Sequence, residues 1–206
     1  LLRLFLNVLP NNRYNTRYVH LTHLSARGLL RLIVTELGEA PAFGKDRLFI
    51  QILECVKKAD APTILILDEA HLIDPGALTD LRLLLSSAVD SGPPLRIVLS
   101  GQEPLRGLLT RASHADLHNR ITVRYRLKSL TEEQTAAYID ARVQQSGGSA
   151  KLFDAEAKTI IHEYAAGIPR QINNIATACR SQAAAQDDKK IGELLVNQTM
   201  TEFQLP

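Results

Sequence analysis

Thr63-Ile64-Leu65-Ile66-Leu67 is the stretch that most constrains what this chain can become. A β-strand sends successive side chains to opposite faces, and here both faces are apolar. A strand of that kind is buried on both sides, as in a parallel sheet covered by helices. Pro62 precedes the run and Asp68-Glu69 closes it, so its length suits a strand and not a helix.

The flanking pattern supplies the rest of such a sheet. Leu1–Leu9 has helical spacing and stops at Pro10. Arg17–Thr22 is β-branched and aromatic enough for a strand. Ser25 can cap a helix over Ala26–Leu37 that ends at Gly38. Leu48, Ile52, Leu53 and Val56 give Lys45–Ala59 a helical period, and Pro75–Val89 reads as helix. Leu95–Leu99 is the next strand, Leu105–Arg111 a short helix, and Ile121–Leu127 a last strand with alternating character.

After Lys128 the strand signals stop. Thr131 and Gln134 form a capping box, and Asp154 caps a helix over Ala155–Ala166. Pro169 opens a helix that runs to about Gln186, and a final helix covers about Ile191–Phe203. The expected organisation is an αβα core over residues 1–127 and a helical subdomain over 128–206.

Composition removes other classes. With 11 Gly, 9 Pro and a net charge of +2 over 206 residues, the chain is neither collagen-like nor disordered. Apolar runs as short as Ile64–Leu67 do not span a bilayer. Cys55 and Cys179 make no metal pattern and read as reduced thiols of a cytosolic protein. His20 with His23, and His114 with His118, have metal-like spacing but no third ligand nearby. Residues 1–127 carry 16 Lys/Arg against 12 Asp/Glu, a weak pull toward anionic partners.

The chemistry sits where the buried strand ends. Ligands of open α/β sheets bind at the C-terminal edge, and Asp68-Glu69-Ala70-His71 is delivered there. An acidic pair in that place suits nucleoside triphosphate hydrolysis. Asp68 can hold Mg²⁺ through its water shell, and Glu69 can orient and polarise the attacking water. The plain alternative is an Asp-Glu pair that merely closes a strand, and His71 reads as an ordinary residue after it.

The segment Ile64–His71 resembles the Walker B element of AAA+ ATPases. Further stretches resemble the general secretion pathway protein A family of these ATPases. Val98-Leu99-Ser100-Gly101-Gln102-Glu103-Pro104-Leu105 is similar to its fourth-strand end, with Glu103 and Pro104 exchanged. Leu117-His118-Asn119-Arg120-Ile121 and Gly167-Ile168-Pro169-Arg170-Gln171-Ile172-Asn173 are similar to two others. Leu130–Thr135 with Tyr138-Ile139 matches the start of its helical lid.

This resemblance implies a P-loop NTPase fold of AAA+ type, a three-layer parallel sheet followed by an all-helical lid. It implies ATP and Mg²⁺ as ligands. Gln102, or alternatively Ser100, takes the sensor-1 place between the carboxylates and the γ-phosphate. Arg120 takes the arginine-finger place, acting on a neighbouring subunit's nucleotide; otherwise it is a solvated charge before a strand. Arg170 takes the sensor-2 place. A cation in the first turn of a helix gains nothing from the dipole, which favours a functional reason for it. The resemblance also implies self-association through the nucleotide interface, a secretion-pathway membrane-protein partner, and a membrane-anchored parent, with a cytoplasmic ATPase part, that helps place an outer-membrane secretin.

No G-x-x-x-x-G-K-[ST] phosphate loop occurs in the 206 residues. Leu1–Leu6 looks like the helix that follows such a loop in this family. The expectation is a chain cut just after it, without the first strand, that binds ATP poorly and is inactive by itself. Two other functions stay open. One is an AAA+ protein that assists DNA transposition, which the basic excess fits weakly. The other is a non-catalytic module whose assembly nucleotide controls.

Overall fold

A computed structural model describes residues 2–10, 12–87 and 94–203. Among them the chain runs α1 (Leu2–Val8), β1 (Asn15–His20), α2 (Ala26–Glu36), α3 (Lys45–Lys58), β2 (Thr63–Asp68), α4 (Pro75–Ser87), β3 (Leu95–Leu99), α5 (Glu103–Leu109) and α6 (Ala115–Arg120). Helices α7 (Glu132–Gln145), α8 (Ala155–Ala165), α9 (Pro169–Ala185) and α10 (Glu193–Phe203) follow. The end of the helix expected to reach Val89 lies outside the described residues, since α4 is described to Ser87. The chain divides into two compact units, Leu1–Arg124 and Tyr125–Pro206.

In the first unit three strands pair in parallel in the order β1-β2-β3. The apolar run lies in the middle strand, and Thr63 through Leu67 are all buried. Parallel neighbours need long crossovers, and α2 with α3, then α4, supply them. Their apolar stripes, among them Leu30, Ile33, Ile52, Leu78 and Leu84, pack with Val19, Leu65, Leu67 and Leu95 into one core. Ser25 caps α2 through the Gly28 N–H. Pro104 falls in the first turn of α5, where its missing N–H breaks no helical bond, so the helix starts at Glu103 and not at Leu105.

Two expectations fail here. Residues 121–127 form no strand, and Val123 and Tyr125 are 82% and 86% exposed. Their alternation is real, but a strand exists only through a ladder with a neighbour. Among the described residues no strand pairs with them. Ahead of them Ala115–Arg120 is helical, so Arg120 closes a short helix instead of standing before a strand.

In the second unit α7, α8, α9 and α10 bury Ile139, Ile161, Ile172, Cys179 and Val196 in a core of their own. The capping box at Thr131 is complete, with both reciprocal bonds formed. Asp154 accepts from the Ala157 N–H at 2.7 Å and caps α8. Helix α10 begins two residues later than its spacing suggests. Ile191 is held instead in a β-bridge with Phe153, bonding to the Leu152 carbonyl at 2.7 Å. Gly167 adopts φ +68, and a Cβ there would stand 2.1 Å from the Leu130 carbonyl oxygen. Only glycine fits that approach, and the Leu130 N–H in turn donates to the Gly167 carbonyl at 2.8 Å. Cys55 and Cys179 are both free thiols, and burial pushes both up in pKa.

Candidate nucleotide site at the strand ends

Parallel pairing brings the C-terminal ends of β1, β2 and β3 to one edge of the sheet. Tyr18 lies opposite Ile66 and His20 opposite Asp68, so Tyr18, His20 and Asp68 share a face. The Tyr18 hydroxyl donates to Asp68 Oδ2 at 2.8 Å, and the Glu69 N–H donates to Oδ1 at 3.0 Å. Burial pushes the Asp68 carboxyl up. The bonds from Tyr18, Glu69 and the Ser100 side chain, with the nearby His20, outweigh this and leave it below the usual carboxylate range.

A carboxyl that holds its proton less well folded than unfolded favours the folded state above the ordinary carboxyl pKa. That contribution is lost as pH falls through the lowered folded value. Tyr18→Phe removes one of the bonds that lower Asp68. The Asp68 carboxyl carbon, followed by NMR, is then expected to titrate at higher pH than in the parent. An unchanged titration would remove Tyr18 from the site.

Backbone bonds stitch the edge together. The Ser100 N–H donates to the Leu67 carbonyl at 2.9 Å, and the Ala70 N–H donates to the Ser100 carbonyl at 2.7 Å. Gly101 follows, where a Cβ would lie 2.9 Å from the His71 nitrogen. The two loops therefore approach as closely as a glycine permits. Glu69 stands at φ 55 and ψ 34, a left-handed conformation that costs a non-glycine residue about 1–2 kcal/mol. Strain of this kind clusters at functional sites. It turns the chain into a 3₁₀ turn over Ala70–Leu72 immediately after the strand.

The site residues anticipated from sequence are placed as follows. Asp68, Glu69 and Ser100 come together, with the Ser100 side chain near enough to help lower the Asp68 carboxyl. Gln102 occupies the N-cap position of α5 with its side chain exposed and making no cap bond, and its backbone N–H donates to His71 Nδ1 at 3.4 Å. Arg120 is exposed and makes no ion pair or hydrogen bond through its side chain among the described residues. Arg170 belongs to the second unit, exposed in the first turn of α9. Sequence reading missed Tyr18, whose reach to Asp68 depends on strand register. It also undervalued His71, which is half-buried with Nδ1 3.4 Å from Glu69 Oε2 as well.

The donor set fits a hard cation. Asp68 offers an ionised oxygen, and Mg²⁺ is commonly held by one or two carboxylates plus phosphates and water. Among the described residues no group of three or more His, Cys, Asp or Glu side chains is placed to hold a metal ion by itself.

The AAA domain family matches residues 1–109, which contain β2, the Asp68-Glu69 pair and the Ser100–Gln102 turn. The chain belongs to the AAA domain family. Over 129 residues this AAA domain is 35% identical to general secretion pathway protein A of Aeromonas hydrophila, covering 63% of the chain and 24% of that relative. The chain thus spans about a quarter of the curated relative it matches.

Solved structures agree on the fold. The ORC1 protein of Aeropyrum pernix, determined with DNA, superposes with a TM-score of 0.66 at 14% identity, covering 97% of this chain and 52% of that one. The ADP form of the ORC2 protein of Aeropyrum pernix gives 0.67 at 14% identity, covering 92% and 53%. The RuvB Holliday junction branch migration motor of Thermotoga maritima gives 0.60 at 16% identity, covering 93% and 62%. The fold is that of the AAA+ P-loop ATPases, and family membership implies nucleotide binding, usually with Mg²⁺. Among the described residues no helix is long and apolar enough to cross a membrane.

Proposed function

We propose that the chain is the ATP-hydrolysing core and lid of an ATPase that couples nucleotide state to assembly in a general (type II) secretion pathway. One observation carries the hydrolytic part. A strained Glu69 follows an Asp68 kept ionised by hydrogen bonds from the Tyr18 hydroxyl and the Glu69 N–H, at the C-terminal edge of a parallel sheet in an AAA domain. Identity of 35% to general secretion pathway protein A supports the pathway.

Asp68 would hold Mg²⁺ through water. The ion, when bound, neutralises charge on the ATP phosphates. Glu69 orients the attacking water and accepts its proton. Ser100 sits beside Asp68 and the Gln102 side chain is exposed, so either can take the polar contact with the γ-phosphate. Arg120 acts on the nucleotide of a neighbouring copy, and Arg170 contacts the phosphates from the helical unit. Self-association, a membrane-protein partner and a cytoplasmic site of action belong to the same reading. Its test is Glu69→Gln in the protein as the cell makes it. The variant is expected to bind Mg·ATP and lose turnover.

A further inference from the structure

The second unit carries a feature that nucleotide chemistry does not use. Helices α8 and α10 border an open groove of about 720 Å³, within the size of common ligand sites. Glu156 and Glu163 lie seven residues apart on α8, two helical turns, hence on one face about 10.5 Å apart. Ile160 lies between them, one turn from each, and Tyr164 follows one turn later, 44% exposed. On α10, Glu193 and Asn197 form the other wall, and the Tyr164 hydroxyl donates to Asn197 Oδ1 at 3.4 Å.

The groove therefore pairs apolar surface with three carboxylates. No Lys or Arg among the described residues lines it. Among the described residues none of the three glutamates has an ion-pair partner, while the nearby Lys158 is engaged by Asp140 at 2.7 Å. Three unpaired like charges around an apolar surface are complementary to a cationic, amphipathic partner. They repel phosphate, so neither nucleic acid nor an anionic membrane fits. The groove is open, and the two-turn spacing of Glu156 and Glu163 along one wall matches the repeat of a helix laid in it.

We propose that the α8–α10 groove docks a basic amphipathic helix of a partner protein, with Lys or Arg about two turns apart flanking an apolar row. The site is separate from the strand-end site and does not rest on the nucleotide reading.

A designed helical peptide of about 18 residues, five turns, with Lys rows flanking a Leu row, probes it directly. Titrated into the isotope-labelled full chain, it is expected to bind one-to-one with NMR shifts concentrated on α8 and α10. Glu156→Lys, Glu163→Lys and Glu193→Lys together should weaken it about ten-fold or more at physiological salt. The same peptide with Glu in place of Lys should then bind the reversed protein, which shows that the variant remains folded. Three results would overturn the proposal. One is affinity unchanged by the reversal. Another is equal binding of a Lys peptide without the Leu row, the mark of a merely charged surface. The third is self-association of the parent that the reversal abolishes, which assigns the groove to a second copy.

Discussion

In the protein as the cell makes it, Glu69→Gln is expected to cut ATP turnover by about 10²–10⁴-fold while ATP still binds. The substitution keeps the size and shape of the side chain and removes only its ability to accept a proton. The backbone at φ 55 is retained, and so is the N–H that donates to Asp68. Asp68, Ser100 and Gln102 themselves are untouched. A positioned general base contributes about 10²–10⁴ in rate, and the loss should fall in that range. Phosphate release measures turnover, and a fluorescent ATP analogue measures binding. Turnover equal to the parent's would remove Glu69 from its role. Loss of binding together with turnover would mean that the strained turn itself had collapsed.

Arg120→Ala is expected to cost more. An arginine that meets transition-state charge on a phosphoryl group contributes about 10³–10⁵. Arg120 is suited to that task because its exposed guanidinium is not engaged by a carboxylate among the described residues. If it acts on a neighbour's nucleotide, two dead variants can rescue one another. A mixture of Arg120→Ala and Glu69→Gln subunits contains interfaces where an intact Glu69 meets an intact Arg120. With random head-to-tail assembly at equal amounts these are about a quarter of all interfaces. Recovery of that order in a mixing assay is the expected result. A mixture as inactive as its parts would place Arg120 outside the neighbour's site.

Much of this was legible because local chemistry agreed with the fold. The two-sided apolar run could only be an inner strand, and it is. Thr131 and Gln134 sit three apart before a helix and cap it in both directions. Gly167 and Pro169 mark a turn for reasons the structure makes concrete, a backbone approach with no room for a Cβ and a helix start that needs no N–H. What was not legible depends on pairing between distant segments. Residues 121–127 alternate like a strand, yet alternation without a partner strand leaves an exposed, unladdered chain. The Tyr18–Asp68 bond arises from register across 50 positions, which no local pattern encodes. Ile191 looked helical because its spacing fits, but the bridge to Phe153 takes its backbone first.

The central claim is that the edge formed by β1, β2 and β3 receives a nucleotide. An isotope-labelled sample of the full chain, titrated with Mg·ATP and followed by NMR, tests it most directly. Without a phosphate loop among the 206 residues, affinity should be weak, on the order of 1 mM or about 4 kcal/mol of binding. Saturating shifts at His20, Asp68, Glu69, His71 and the Ser100–Gln102 turn, diminished by Asp68→Ala, are the expected result. Saturation with shifts confined to other surfaces, or shifts at this edge that Asp68→Ala leaves intact, would contradict it.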